Sequence, residues 1–128
     1  MAITSRSGYT PMAAKTIQTF TTAGTHTWNR PDGCVRIKVQ LVGAGGGGAG
    51  MCESGGAGGY SEKYIDVTDI SSVTITVGTG ADRVSYYGVA GNGTTTSFGS
   101  HLSASGGFGA NQHNSHEGGR GGLGSGGQ

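Results

Sequence analysis

The sequence has little charge and no long apolar run. Charged residues make up 12% of its 128 residues, and the formal net charge is +1. Partners that bind through a strong positive field, such as nucleic acid, are therefore not expected. No apolar stretch approaches the roughly 20 residues that cross a bilayer, and the N-terminus lacks an apolar signal-peptide core. We expect no membrane insertion and synthesis in a cytoplasm.

Cysteine is scarce as well. The chain has two, Cys34 and Cys52, too few for a disulfide framework. Cys34 opens an alternating segment and Cys52 lies in a glycine-rich one, so we expect two unrelated thiols rather than a pair.

Large side chains are also few, whereas glycine is abundant. Hydrophobic residues make up 33% of the chain, and 29 residues are glycine. Ordering glycine costs more conformational entropy than ordering any other residue. The glycine-dense parts must be held by backbone hydrogen bonds or by neighbouring chains, or else stay mobile. We expect one small β core with glycine-rich appendages.

Alternation with a period of two defines the core. It is clearest in 35–42 and 72–77, where Val, Ile and Leu fall on one side and polar residues on the other. Further segments, at 16–28, 60–67, 94–98 and 102–104, are rich in residues that suit a pleated surface. The fold class predicted is all-β: a small β-sandwich or jelly roll of roughly six to eight short strands, with long Gly-rich loops at one end.

Three regions follow from this pattern. Residues 1–14 are an N-terminal arm, in which Tyr9 and Met12 are candidates for docking on a partner. A disordered leader is the other interpretation, and both remain open. Residues 15–105 form the glycine-rich β-sandwich domain. Within it, Gly91-Asn92-Gly93 is interpreted as a turn that uses positive φ.

Residues 106–128 form a Gly-rich tail. In it Gly118, Gly121, Gly124 and Gly127 recur every third residue, which matches the three-residue turn of polyglycine-II. A packed polyglycine-II segment and a flexible linker both remain open. Collagen does not fit, because the chain has 2 prolines.

Catalytic motifs are absent from the sequence pattern. Gly43-x-Gly45-x-x-Gly48 follows a strand and resembles a dinucleotide fingerprint, but the residues after it are poor helix formers. Without a helix N-terminus the pyrophosphate has no binding site. The acidic residues are scattered, and no nucleophile elbow occurs. We expect no enzymatic activity and no cofactor.

Histidines and exposed aromatic residues are the remaining candidates for function. His113 and His116 are weak candidates for metal ligands, and solvated loop residues are the simpler interpretation. Trp28 is expected in the core. Aromatic and amide side chains suit recognition of a sugar or a protein. The candidate receptor or partner contacts are Tyr86, Tyr87, Asn92, Phe108, Asn111, Gln112 and Asn114.

The order of several motifs resembles the glycine-rich domain of tail-fibre (adhesin-like) proteins of tailed bacteriophages and prophages. The motifs are TFTTAGTHTW at 19–28, PDGCVRIKV at 31–39, a glycine block ending in GGYS at 58–61, VTITVG at 73–78 and GNGTTTSFG at 91–99. Together they span roughly residues 15–110, and the ordered series is more specific than any of its fragments.

The resemblance implies a structural virion protein, made in the host cytoplasm. It would be a tail-fibre or surface-appendage subunit that attaches to the host surface, through a glycan or an outer-membrane protein. We expect it to bind itself, as a homotrimer that covers its edge strands, and other virion proteins. One alternative is an architectural head, tail or collar component without a receptor. A second is an extracellular Gly-rich ice-binding protein, suggested by the period of three.

Overall fold

The computed structural model describes residues 1–7, 16–50, 52–112 and 116–127. These residues form nine β-strands and no helix. The described part therefore contains no helix long and apolar enough to cross a membrane. The strands are β1 (Ala2–Ser7), β2 (Thr16–Thr19), β3 (Gly24–Asn29), β4 (Cys34–Val42), β5 (Tyr60–Asp66), β6 (Ser72–Val77), β7 (Thr96–Phe98), β8 (Leu102–Ala104) and β9 (Gly124–Ser125).

Two antiparallel sheets form the sandwich. The first sheet has the strand order β2-β1-β4-β5, and the second has the order β3-β6-β7-β8-β9. The long hairpin of β4 and β5 pairs in continuous register from Arg36 opposite Asp66 to Val42 opposite Tyr60. The predicted all-β class is confirmed, and the structure is consistent with a small β-sandwich.

The apolar residues of each alternating strand face the space between the sheets. Trp28 and Phe98 are both fully buried there, with ring centroids 5.7 Å apart in an edge-on arrangement. Val39 of the first sheet and Ile75 of the second are also 0% exposed. Alternation places these side chains in one core because successive strand residues point to opposite faces. Trp28 is therefore a core residue, as the sequence predicts.

The first strand differs from the expectation of an arm over residues 1–14. Residues Ala2–Ser7 form β1, which lies between β2 and β4 in the first sheet. Its one strongly apolar side chain, Ile3, is 1% exposed. The segment is too short and too polar for its alternation to stand out. Pairing on both sides makes it a strand, because tertiary context outweighs β-propensity.

Six glycine-rich segments continue from the strands and pack side by side. We call them the glycine bundle: g1 (43–50), g2 (53–59), g3 (78–84), g4 (88–94), g5 (105–112) and g6 (117–123). Segments g1 and g2 extend the β4–β5 hairpin. Segments g3 and g4 likewise connect β6 to β7, and g5 and g6 connect β8 to β9. The expected projecting loops and tail are thus packed against one another, over the residues the structure describes.

Backbone hydrogen bonds between the segments repeat every third residue. The Gly43 and Gly46 N–H groups donate to g2 carbonyls at 2.8 and 2.9 Å. Ala44 and Gly47, one residue further along, donate in the same way to g4, at 3.2 and 3.0 Å. A segment whose donors rotate to a new neighbour with each residue and return after three has the period of polyglycine-II. Such bonds satisfy backbone groups that would otherwise be buried without partners.

The segments form two rows of three. One row is g3-g1-g2 and the other is g4-g5-g6, with hydrogen bonds inside each row and between the rows. Segments g1 and g5 are the central ones, and each bonds to four neighbours. The tail segment g6 belongs to this lattice: Phe108 donates to the Arg120 carbonyl, and Gly122 donates to that of Ala57, both at 2.8 Å.

Close approach, rather than unusual φ, explains many of the glycines of the bundle. Within the six segments only Gly50 has a positive φ. A Cβ added at Gly46 would lie 2.2 Å from the Phe108 carbonyl oxygen, and one at Gly58 would lie 1.8 Å from that of Gly43. Real Cβ atoms do not come so near, so no side chain fits at these two positions.

Candidate functional site

The three glycine hairpins end at the same end of the molecule. The described residues at their tips are Gly50 and Cys52, 85–87, and Gln112 and His116. Isolated bridges lie just below the tips. Ala49 with Val84 and Val89 with Asn111 join different hairpins, whereas Ala49 with Glu53 and Asn111 with Glu117 each lie within one hairpin. We call this end the distal end. The opposite end of the sandwich carries Ser7, which pairs with Cys34 at the start of β4.

A small apolar cluster supports the tips. Ala49, Ala90 and Ala110 are buried against one another, and the partly buried Val84 packs on them. Ala110 is 0% exposed. These residues come from g1, g3, g4 and g5, so the cluster joins all three hairpins. Apolar burial here complements the backbone hydrogen bonds below, and the tips rest on a packed base.

Two exposed tyrosines form the middle tip. Tyr86 and Tyr87 are 61% and 64% exposed, and their ring centroids are 5.4 Å apart with planes at 56°. Tyr87 has a φ of 55°, which is rare for a bulky residue. Strained backbone at an exposed position is more common at functional sites than elsewhere. The pair offers flat amphipathic surfaces of the kind that stack on sugars or pack in protein interfaces.

Polar contacts connect the other two tips. The Nδ1 atom of His116 is 3.5 Å from a carboxylate oxygen of Glu53, which links the first hairpin to the third. The Gln112 side chain lies directly over Gly50, where a Cβ would collide with its amide. The Glu53 side chain is 11% exposed, whereas that of His116 is 67% exposed. In this ion pair the carboxylate is therefore partly buried, and the histidine is exposed.

The predicted contact residues divide into two groups. Tyr86, Tyr87 and Gln112 lie at the distal end, and Asn111 lies just below it. Asn92 is in g4, where its Oδ1 accepts a hydrogen bond from the Gly109 N–H at 2.9 Å. Phe108 is on the flank of the bundle and is 50% exposed. Tyr9, Met12, His113 and Asn114 lie outside the described residues.

Metal-binding chemistry gains no support from the described residues. No group of three or more His, Cys, Asp or Glu side chains comes together among them. His116 faces Glu53 alone in its ion pair. Cys34 is buried and Cys52 is exposed, and both are free thiols, as the sequence predicts.

Sequence reasoning missed two residues of the distal end. Val89 is 60% exposed beside the tyrosine tip, and Glu53 is the partly buried partner of His116. Glu53 had a signal: it is the only charged residue between positions 43 and 61. Charged side chains are seldom removed from water unless they are paired. Val89 had no such signal.

Fold and site together define a β-sandwich protein whose strands continue into a glycine bundle that carries three tips. The chain matches the glycine-rich domain family over residues 21–128 and belongs to that family. No curated protein and no solved structure gave a significant match.

Proposed function

We propose that this chain is a structural virion protein of a tailed phage, a tail-fibre or surface-appendage subunit that attaches to the host surface. The observation that carries the proposal is the two-ended architecture. A backbone-bonded bundle holds three tips at one end, and the chain leading to residues 8–15 leaves the sandwich at the other. The motif order that resembles tail-fibre domains supports the same assignment. The protein acts by binding, without catalysis or a cofactor.

The distal end makes the receptor contact. Exposed aromatic rings contribute large contact area at low entropic cost, which suits recognition of a glycan or an outer-membrane protein. Tyr86 and Tyr87 supply that area, and Val89 extends it. The alanine cluster below holds the tips in place, so little conformational entropy is lost when they bind.

The opposite end attaches to the virion. Ser7 and Thr16 flank the segment that contains Tyr9 and Met12, and Ser7 lies beside the start of β4. Tyr9 and Met12 dock on another virion protein. Three copies of the chain associate and cover the outer edge of β3, which is a terminal strand of the second sheet.

Binding to bacterial cells tests the proposal. Fluorescently labelled protein is applied to a panel of bacterial strains and measured by flow cytometry. We expect binding restricted to some strains, and the double variant Tyr86→Ser/Tyr87→Ser should bind at least tenfold less. The matched control is Leu123→Ser, because Leu123 is 77% exposed on the side of the bundle in g6. It should bind as the unmodified chain does.

The architectural alternative predicts a different result. A head, tail or collar component without a receptor binds none of the strains, and the tyrosine variant then changes nothing. The mass of the purified protein in solution is measured in parallel. A monomer at all concentrations would contradict the proposed three-fold assembly without affecting the cell-binding result.

A further inference from the structure

The outer face of the first sheet carries a groove of about 610 Å³, away from the tips. It lies over β1 because Thr4, a short residue, sits in register between Ile17 of β2 and Lys38 of β4. Tyr64 of β5 lies opposite Lys38 and forms the far wall. The lining residues are Thr4, Ile17, Arg36, Ile37, Lys38, Gln40 and Tyr64.

Two cations are held in this groove by one aromatic ring. The Arg36 guanidinium carbon is 5.1 Å from the Tyr64 ring centroid, and the Lys38 amine is 5.6 Å from it. Cation–π contacts of this length fix the charged heads without neutralising them. Arg36 forms no ion pair with any residue that the structure describes.

Two carboxylates lie near these cations. Glu62 forms an ion pair with Lys38 at 3.5 Å and also accepts hydrogen bonds from the Tyr60 hydroxyl at 2.6 Å and the Gln40 amide at 3.1 Å. Asp66 lies opposite Arg36 but accepts hydrogen bonds from the backbone N–H and hydroxyl of Thr68, at 2.9 and 2.6 Å. Neither acid lines the groove. Lys38 therefore shares its charge with Glu62, and Arg36 is the groove cation that has no ion-pair partner among the described residues and is open to an anionic ligand.

The other wall of the groove is apolar and open. Ile17 is 65% exposed on β2, a terminal strand of the first sheet. A groove along a strand, apolar on one side and cationic on the other, matches an extended chain whose side chains alternate between the two.

We propose that this groove binds an extended acidic segment of a partner protein. Carboxylates of the segment bind Arg36 and Lys38, and an apolar side chain packs on Ile17. Hydrogen bonds between ionised groups are stronger than neutral ones, and the Arg36 fork suits a carboxylate. This binding surface goes beyond the tip-mediated attachment and does not depend on it.

Titration with a peptide tests the proposal. The full chain, labelled with ¹⁵N, is titrated with a capped heptapeptide that alternates Glu with Val or Ile, and with its counterpart carrying Lys in place of Glu. We expect the acidic peptide to shift amide signals of β1, β2 and β4, and the basic peptide to shift none. Added salt should weaken binding, because the contact is electrostatic.

Variants locate the contact. Arg36→Gln/Lys38→Gln should weaken acidic-peptide binding at least tenfold, and Ile17→Ser should weaken it several-fold. These side chains face outward, so folding is retained. The control Arg83→Gln/Arg120→Gln removes two exposed cations from the bundle and should leave affinity within twofold. Equal binding of both peptides, no binding at millimolar concentration, or tighter binding of glucuronate than of the peptide would each overturn the proposal.

Discussion

The sandwich and the glycine bundle are built from one chain but are stabilised in different ways. In the sandwich, large side chains such as Trp28 and Phe98 leave water and pack between two sheets. In the bundle, backbone groups bond directly to neighbouring backbones, and any Cβ at positions such as Gly46 or Gly58 would prevent contact. One region needs side chains of the right volume, and the other needs their absence.

Side-chain packing and backbone packing respond differently to substitution. Apolar burial is roughly proportional to area and tolerates compensating changes. Backbone-to-backbone packing is less flexible. The Phe108 carbonyl that a Cβ at Gly46 would meet accepts a hydrogen bond from the Gly56 N–H at 2.9 Å, and moving it would break that bond. The contrast yields four predictions, in decreasing order of expected effect.

The largest effect is expected in the sandwich core. Phe98→Ala should lower the free energy of unfolding by about 3–5 kcal/mol, because a fully buried ring is lost and a cavity remains. The matched control is Phe108→Ala on the bundle flank, where the ring is 50% exposed. It should cost less than about 1.5 kcal/mol. Denaturant titration measures both, and similar losses would contradict the assignment of the core.

The second effect tests close approach in the bundle with two adjacent glycines. Gly46→Ala would put a methyl group 2.2 Å from the Phe108 carbonyl oxygen. It should cost about 1–3 kcal/mol or more, as overpacking does. Gly45→Ala is the matched control, because its nearest atom would be 3.9 Å away and its φ is not positive. It should be neutral or stabilise by about 0.4–1 kcal/mol through the unfolded state.

Parts of this architecture could be predicted from the sequence. The alternation around Ile75 predicts the strand Ser72–Val77 with the bounds the structure shows, because a period of two survives when one face is buried. The turn before β4 could also be predicted: Cys34 N–H donates to the Pro31 carbonyl, and Gly33 has a φ of 75°.

The bundle could not be predicted in the same way. Gly91-Asn92-Gly93 predicts a turn with positive φ, and this is wrong: neither glycine has a positive φ, and the segment runs within g4. Glycine serves tight turns and close approach equally well, and local sequence does not separate the two uses. The meeting of Tyr86, Glu53 and His116 at one end depends on pairing between distant hairpins, so the candidate site was predicted only one residue at a time.

The third prediction concerns which glycine of each Gly-Gly pair in the tail faces a neighbouring segment. The sequence indicates Gly118 and Gly121, but each precedes a second glycine, so the spacing alone does not choose between the two phases. A Cβ at Gly122 would lie 2.3 Å from the Ser105 carbonyl oxygen, whereas one at Gly121 would lie 3.8 Å from that of Ala57. Gly122→Ala should destabilise by about 1–2 kcal/mol.

Gly121→Ala is the matched control and should leave stability nearly unchanged. The effect is expected to be smaller than at Gly46, because g6 is at the edge of its row and g1 is central. Hydrogen exchange of the Phe108 amide, which donates to g6, measures the local loss. If the two variants exchange at the same rate, g6 is a flexible tail in solution and not part of the bundle.

The smallest effect is expected at the surface of the sandwich, on acidification. The Thr68 hydroxyl and N–H hold the pKa of Asp66 below its ordinary 3.8, and the Tyr60 hydroxyl holds the pKa of Glu62 below its ordinary 4.5. A lowered folded-state pKa contributes stability that is present above the ordinary value. That stability is lost as pH falls through the lowered one. The denaturant concentration at the midpoint of unfolding should therefore decrease slightly as the pH falls below about 4.5.

Removing the donors separates this effect from general acid unfolding. Thr68→Val keeps the side-chain shape but deletes the hydroxyl bond to Asp66, and Tyr60→Phe does the same for Glu62. Each should raise the pKa of its own carboxyl in a ¹³C titration and reduce the acid-dependent loss. Thr74→Val, at an exposed position of β6, is the control and should change neither carboxyl. Both groups are at the surface, so added salt should shrink the charge contributions of Lys38 and Arg36 and leave the hydrogen-bond contributions in place.

The bundle carries no comparable pair among its described residues except Glu53 with His116, so amides of g1 and g5 away from the tips should keep their protection over the same pH range. Loss of that protection together with the sandwich would mean that the two regions unfold as one unit.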